Sequence, residues 1–217
     1  MQPLRFLLQQ FLLPLSRGID LCTEITGKFV GWLILATVLV SSINATVRKA
    51  FDIGSNAFLE LQWYLFAAVF LMAAGYTLMR NEHVRIDVFT SRLSPQGRAW
   101  IDIIGLVFFL FPVCGLMTVL GWDQFVLAYV GNEMSSNAGG LIRWPAKLLI
   151  PVGFALLIVQ GLSELIKRIA FLQGLIPDPT AKVATRTAEE ELADAIRANA
   201  AAEGQAAPLQ PTTSTPR

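Results

Sequence analysis

Charge is scarce in this sequence. Only 15% of its 217 residues are Asp, Glu, Lys or Arg, where an ordinary soluble domain carries about 25%. It holds one histidine, His83, and two cysteines, Cys22 and Cys114. The cysteines stand in no CxxC or Cys/His grouping, so they suggest neither a disulfide framework nor a zinc site. A single histidine falls short of the pair that a bis-histidine haem requires. No HExxH and no convincing nucleophile and base constellation is present. The 17 basic and 16 acidic residues nearly cancel, leaving a net charge of +1, which gives no electrostatic footprint for nucleic acid. The expectation is a chain without catalytic residues, cofactor or bound metal.

In place of charge the sequence has apolar length. Hydrophobic residues make up 54% of the chain and mean hydropathy is +0.54. A helix needs about 20 mostly apolar residues to cross a bilayer's hydrocarbon core. Four runs qualify: Phe29 to Val47, Phe58 to Met79, Ile101 to Trp122 and Ala146 to Ile166. None has a charge at its centre, where an ionised side chain costs about 2.5–3.5 kcal/mol even on the lenient insertion scale. Backbone groups in lipid must bond internally and no run alternates as a barrel strand would, so the expected fold is an all-α integral membrane bundle of four transmembrane helices. Trp32, Trp63, Trp100, Trp122 and Trp144 lie mostly toward the ends of these spans, the depth that amphipathic indole rings favour.

Basic residues alternate in density around the spans. Arg5, Arg17 and Lys28 precede the first, and only Arg48 and Lys49 follow it. Arg80, Arg85, Arg92 and Arg98 follow the second, Arg143 and Lys147 the third, and Lys167, Arg168, Lys182 and Arg186 the fourth. The positive-inside rule then places both termini in the cytoplasm.

Three domains are expected: 1–27, 28–170 and 171–217. In the first, Leu4, Leu7, Leu8, Phe11, Leu12 and Leu15 recur at helical spacing. This is an N-terminal amphipathic helix, lying in the membrane surface or packed on other protein. No small-residue cleavage site follows it, so it reads as retained rather than as a signal peptide. In the last, Thr187 to Glu190 forms a capping box before one short helix, and "QAAPLQPTTSTPR" lacks the apolar content to fold, so a largely disordered tail is expected.

The most charged stretch before that tail is "MRNEHVRIDVFTSRLSPQGRAW", 79–100. Ile86, Phe89 and Leu93 share a helical stripe, which suggests a short cytoplasmic surface helix. Ser94 can cap and Pro95 suits the first position of the helix that follows. His83 and Asp87, four apart, could relay a proton or ligate a metal, but two ligands are fewer than zinc takes. Local ion pairing and lipid phosphate contact, with Arg80, Arg92 and Arg98 as candidate membrane-surface groups, is the favoured reading. Glu60, Gln62, Trp63 and Asp102 lie near span ends and are candidate intramembrane helix contacts. In the loop "GNEMSSNAGGLIRWPAK", Glu133, Arg143 and Trp144 could dock an external partner, or the loop could be only a turn back to the membrane.

Four spans followed by "RNEHVRIDV" after the second resemble the small membrane subunit, DctQ type, of tripartite ATP-independent periplasmic (TRAP) transporters. The resemblance covers roughly 28–170 and is most specific at His83, Val84, Arg85, Ile86 and Asp87, a His-x-Arg-hydrophobic-Asp pattern. "ELQWYLF" at 60–66 and "GGLIRWPAKLLIPVGFALLIVQGLSELIK" at 139–167 look like a branch associated with organic acids. The resemblance implies two protein partners, a large transmembrane subunit that carries substrate and sodium, and a periplasmic substrate-binding protein. It also implies a bacterial inner-membrane location, with His83, Arg85 and Asp87 as a cytoplasmic interface. This chain would be a non-catalytic scaffold in a sodium-coupled importer of an organic acid anion. An autonomous small oligomeric channel or carrier, and a redox enzyme's membrane anchor, are the alternatives from other classes.

Overall fold

The computed structural model describes residues 6, 8–52, 54–81 and 94–177. The predicted surface helix, with His83, Arg85, Asp87 and Arg92, and the C-terminal capping box lie outside them. Among the described residues five α-helices follow one another: α1 (Leu13–Phe51), α2 (Asn56–Arg80), α3 (Pro95–Gly105), α4 (Phe111–Val130) and α5 (Trp144–Leu172). Wide π-helical turns at Leu8–Leu12 and Leu106–Leu110 lead into α1 and α4. Each stands just before a proline, Pro14 and Pro112. A proline supplies no N–H and its ring clashes with the carbonyl four residues back, and a wider turn relieves that clash. At the second turn the Phe111 N–H reaches five residues back, to the Leu106 carbonyl. α3, its π turn and α4 form one continuous rod over 95–130.

Among the described residues, four helices are long and apolar enough to cross a membrane: Gln10–Phe51, Asn56–Arg80, Pro95–Val130 and Trp144–Leu172. They contain the four expected runs, and three of them extend well past the predicted ends. α1, at 39 residues, is about 58 Å long, roughly twice the hydrocarbon thickness. Its charge-free part, Phe29 to Val47, covers about 28 Å, so its ends extend past the core. The expected boundary between residues 27 and 28 falls inside this helix. From Leu13 onward the amphipathic stretch and the first span are one helix, because Leu13 to Lys28 contains no breaker once Pro14 is placed in the first turn.

Local signals set the helix ends. The Ser94 hydroxyl accepts from the Gly97 N–H at 3.2 Å and Pro95 opens α3, as the sequence predicts. α1 and α2 stop at Asp52 and Asn81, which take left-handed conformations with φ of 54° and 59°. Asn81 also returns its N–H to the end of α2, a short polar residue in the position that ends many helices.

α5 is the central helix, packed against α1, α2, α3 and α4. Small residues allow the approach: a Cβ on Gly153 would lie 2.7 Å from the Leu71 Cβ of α2, so only glycine fits that crossing. The outward faces are apolar. Phe29 and Trp32 on α1, Phe66 and Phe70 on α2, and Phe108 and Phe109 on the α3–α4 rod are all exposed. Such a surface is incompatible with water but suits lipid. Trp63, a predicted helix contact, is 66% exposed and projects away from the chain's own helices.

Candidate functional site

Polar side chains collect at the two ends of the bundle. At the end formed by the start of α1 and the finish of α5, Gln160 is fully buried. It accepts from the Thr23 hydroxyl at 2.7 Å and donates to Asp20 Oδ1 at 3.1 Å. Asp20 also accepts from Ser163 at 2.8 Å and from Lys167 at 2.9 Å. Ser16 and Ser163 hydroxyls, both buried, are 2.7 Å apart. Lys167 bonds Glu164 at 2.8 Å, Glu164 lies 3.6 Å from Arg168, and Arg168 lies 3.5 Å from Asp102 of α3. The polar residues of α5, at 160, 163, 164, 167 and 168, follow helical spacing and so form one stripe. It ties α1 to α5, and α5 to α3. Asp102 of α3 thus faces Arg168 of α5. Gln160 reads from the sequence as a candidate for structural hydrogen bonding to a neighbouring helix; Asp20, Ser163 and Glu164 were missed by sequence reasoning, although the spacing on α5 carried the signal.

At the opposite end, Glu60 of α2 is buried and organises the loop between α4 and α5. Its carboxylate accepts from the Ser135 hydroxyl, from Asn137 Nδ2 at 2.8 Å and from the Leu141 N–H at 2.7 Å. The Asn56 amide donates to the Ala138 carbonyl at 2.9 Å and the Tyr64 hydroxyl to the Ile142 carbonyl at 3.2 Å. Within the loop, Met134 pairs with Ile142 in a single antiparallel bridge. Gly139 turns at φ +70°, and a Cβ on Gly140 would strike Ser135 and Glu60. Glu133 closes the base, with Arg143 at 3.2 Å and Lys147 at 2.5 Å. The Lys147 hydrogen bond, then that from Arg143, holds the Glu133 carboxyl below its usual range. Trp144 packs edge-on against Tyr129, ring centroids 5.7 Å apart.

The predicted candidates are therefore distributed rather than gathered. Glu60 clasps a loop, Glu133 and Arg143 pair with each other, Trp144 enters an aromatic cluster, and Gln62 lines a cleft beside α1. Arg80 donates to the Tyr76 hydroxyl at 3.1 Å and lies over its ring, and the Arg98 backbone N–H donates to the Ser94 carbonyl at 3.0 Å in the first turn of α3. Among the described residues, no group of three or more His, Cys, Asp or Glu side chains could hold a metal ion.

Four lipid-compatible helices, fastened at both ends by polar side chains and charge-free between them, define a multi-pass membrane protein whose buried polar groups join helix to helix and helix to loop. A family model for the DctQ component of tripartite ATP-independent periplasmic transporters matches residues 34–171, and the chain belongs to that family. It is 30% identical over 96 residues to a Haemophilus influenzae protein assigned as a TRAP transporter small permease. That match covers 44% of this chain and 58% of the relative's length. No solved structure matches the chain.

Proposed function

We propose that this chain is the scaffold subunit of a sodium-coupled, binding-protein-dependent importer of an organic acid anion in the bacterial inner membrane. Its partners would be a large transmembrane subunit, which carries the substrate and sodium paths, and a periplasmic substrate-binding protein. The observation that carries this reading is the disposition of polar groups. The Asp20–Gln160 network and the Glu60 clasp are engaged in holding helices and loop, and the charge-free span levels between them offer no acid from which to build a cation site.

Both termini are assigned to the cytoplasm. The end of the bundle with Arg17, Lys28, Arg80, Arg98, Lys167 and Arg168 is richer in basic residues than the end with Arg48, Lys49, Arg143 and Lys147, which supports that orientation. The loop clasped by Glu60 then faces the periplasm, and the surface around Glu133, Arg143 and Trp144 is assigned to docking of the binding protein. His83, Arg85 and Asp87 are assigned to the cytoplasmic interface with the large subunit, flanked by Arg80, Arg92 and Arg98 at lipid phosphates.

Separate Arg85→Ala and Asp87→Ala variants test the assignment. Each is expected to lower the yield of the two-subunit complex, or uptake by it, with the order of preference among solutes unchanged. A changed solute preference at normal complex yield contradicts it.

A further inference from the structure

The last turns of α1 carry a polar stripe that neither fastening uses. Ser41, Asn44, Arg48, Lys49 and Asp52, with Gln62 of α2, line a cleft of about 460 Å³ between the two helices. Asn44 and Arg48 also border a second cavity, of about 200 Å³, beneath the α1–α2 turn. Asn44 touches a third, of about 170 Å³, whose other walls are Val40, Ile43, Val47, Ser55 and Phe58. Polar and apolar spaces thus meet at one asparagine. Among the described residues, neither Arg48 nor Lys49 has a carboxylate within ion-pair distance.

Two cations in the last turn of a helix are favoured by the negative end of its dipole. That accounts for Arg48 and Lys49 but not for Ser41, Asn44 and Gln62, which place hydroxyl and amide donors on the same groove one to two turns deeper into a membrane-length helix. Ile43 and Phe58 beside them are apolar and exposed. Two cations against the single Asp52 carboxylate at the rim, neutral donors below and an apolar recess beside them match an amphiphile with a negatively charged head.

We propose that this cleft binds an anionic phospholipid. Its phosphodiester lies between Arg48 and Lys49, its glycerol oxygens reach Asn44, Ser41 and Gln62, and an acyl chain follows the wall of Val40, Ile43, Val47 and Phe58. The site is at the loop end of the bundle, away from Arg80 and Arg98. It is independent of which solute the transporter carries.

The test uses the purified, delipidated full chain, titrated in detergent with short-chain phosphatidylglycerol, the matching phosphatidylcholine, and inorganic phosphate. Phosphatidylglycerol is expected to bind at least tenfold more tightly than phosphatidylcholine, and inorganic phosphate more weakly than either. A basic residue near an anionic surface contributes about fivefold, so Arg48→Gln/Lys49→Gln is expected to weaken phosphatidylglycerol roughly twentyfold. Ile43→Trp, which fills the apolar recess, is expected to weaken the lipid and leave the phosphate response unchanged. Equal affinity for the two lipids overturns the proposal, as does binding of free phosphate as tight as that of the lipid. If the double variant fails to fold, the headgroup comparison on the unaltered chain and the Ile43→Trp result decide. A double variant that keeps its lipid affinity but loses the large subunit on copurification also overturns it, since the cations would then meet an acidic protein surface.

Discussion

Gln160 of α5 and Asp20 of α1, 140 positions apart in the chain, meet through a 3.1 Å hydrogen bond from Nε2 to Oδ1. The other end of the same amide accepts from Thr23 at 2.7 Å. One buried side chain therefore fixes the height of the first helix against the last. That register brings the segment before residue 28 into the bundle.

Gln160→Leu is close in volume and removes these two bonds and the longer one, 3.5 Å, to Glu164. The partly buried Thr23 hydroxyl loses its acceptor and Asp20 loses a donor, a cost of about 1–2 kcal/mol. Thermal unfolding of the purified protein in detergent is expected to shift down by several degrees. An unchanged midpoint would show that the amide does not hold α1 to α5.

The ion-paired base of the α4–α5 loop is pH-dependent. Glu133 has its folded pKa depressed by Lys147 and Arg143, so its contribution is present above the unfolded value, about 4.3, and is lost as pH falls through the folded value. Hydrogen exchange at the Arg143 amide, which donates to the Glu133 carbonyl at 2.9 Å, is expected to lose protection, beyond the intrinsic effect of pH, as the solution is acidified below about pH 4.3. Glu133→Gln is expected to remove that dependence. Protection that persists unchanged to pH 3 would contradict the clasp.

Gly153 sets how closely α5 approaches α2. A Cβ there lies 2.7 Å from that of Leu71 and 3.2 Å from the Leu71 carbonyl oxygen, and backbone cannot give way as a flexible side chain would. Gly153→Val is expected to cost about 1–3 kcal/mol through overpacking and to lower the unfolding midpoint, whereas Val152→Ala on the exposed neighbouring face is expected to move it little. Equal behaviour of the two variants would place the crossing elsewhere.

Much of this architecture was legible in the sequence. Long charge-free runs dictate helices in lipid because no other structure satisfies the backbone there, and Ser94-Pro95 announced a helix start that the structure contains. Helix ends were less legible. The third apolar run ends at Trp122, yet α4 continues to Val130, since polar residues end a span but not a helix. The network around Asp20 was hidden for a different reason. Gln160, Ser163 and Glu164 each look unremarkable singly, and only their shared face, together with a first helix long enough to bring Ser16, Asp20 and Thr23 to the same level, gives them partners. Glu60 was legible as a helix contact, but its partners proved to be a loop 75 and more positions away, a pairing that no local pattern encodes.

The central claim is that the chain holds helices in place and offers no passage of its own. Sodium and solute flux into proteoliposomes containing this chain alone, compared with proteoliposomes containing the chain and its large subunit, with binding protein and solute supplied outside, tests it most directly. The account predicts background flux for the chain alone and sodium-dependent uptake only when the large subunit is present. Sodium-driven uptake by the chain alone would contradict it.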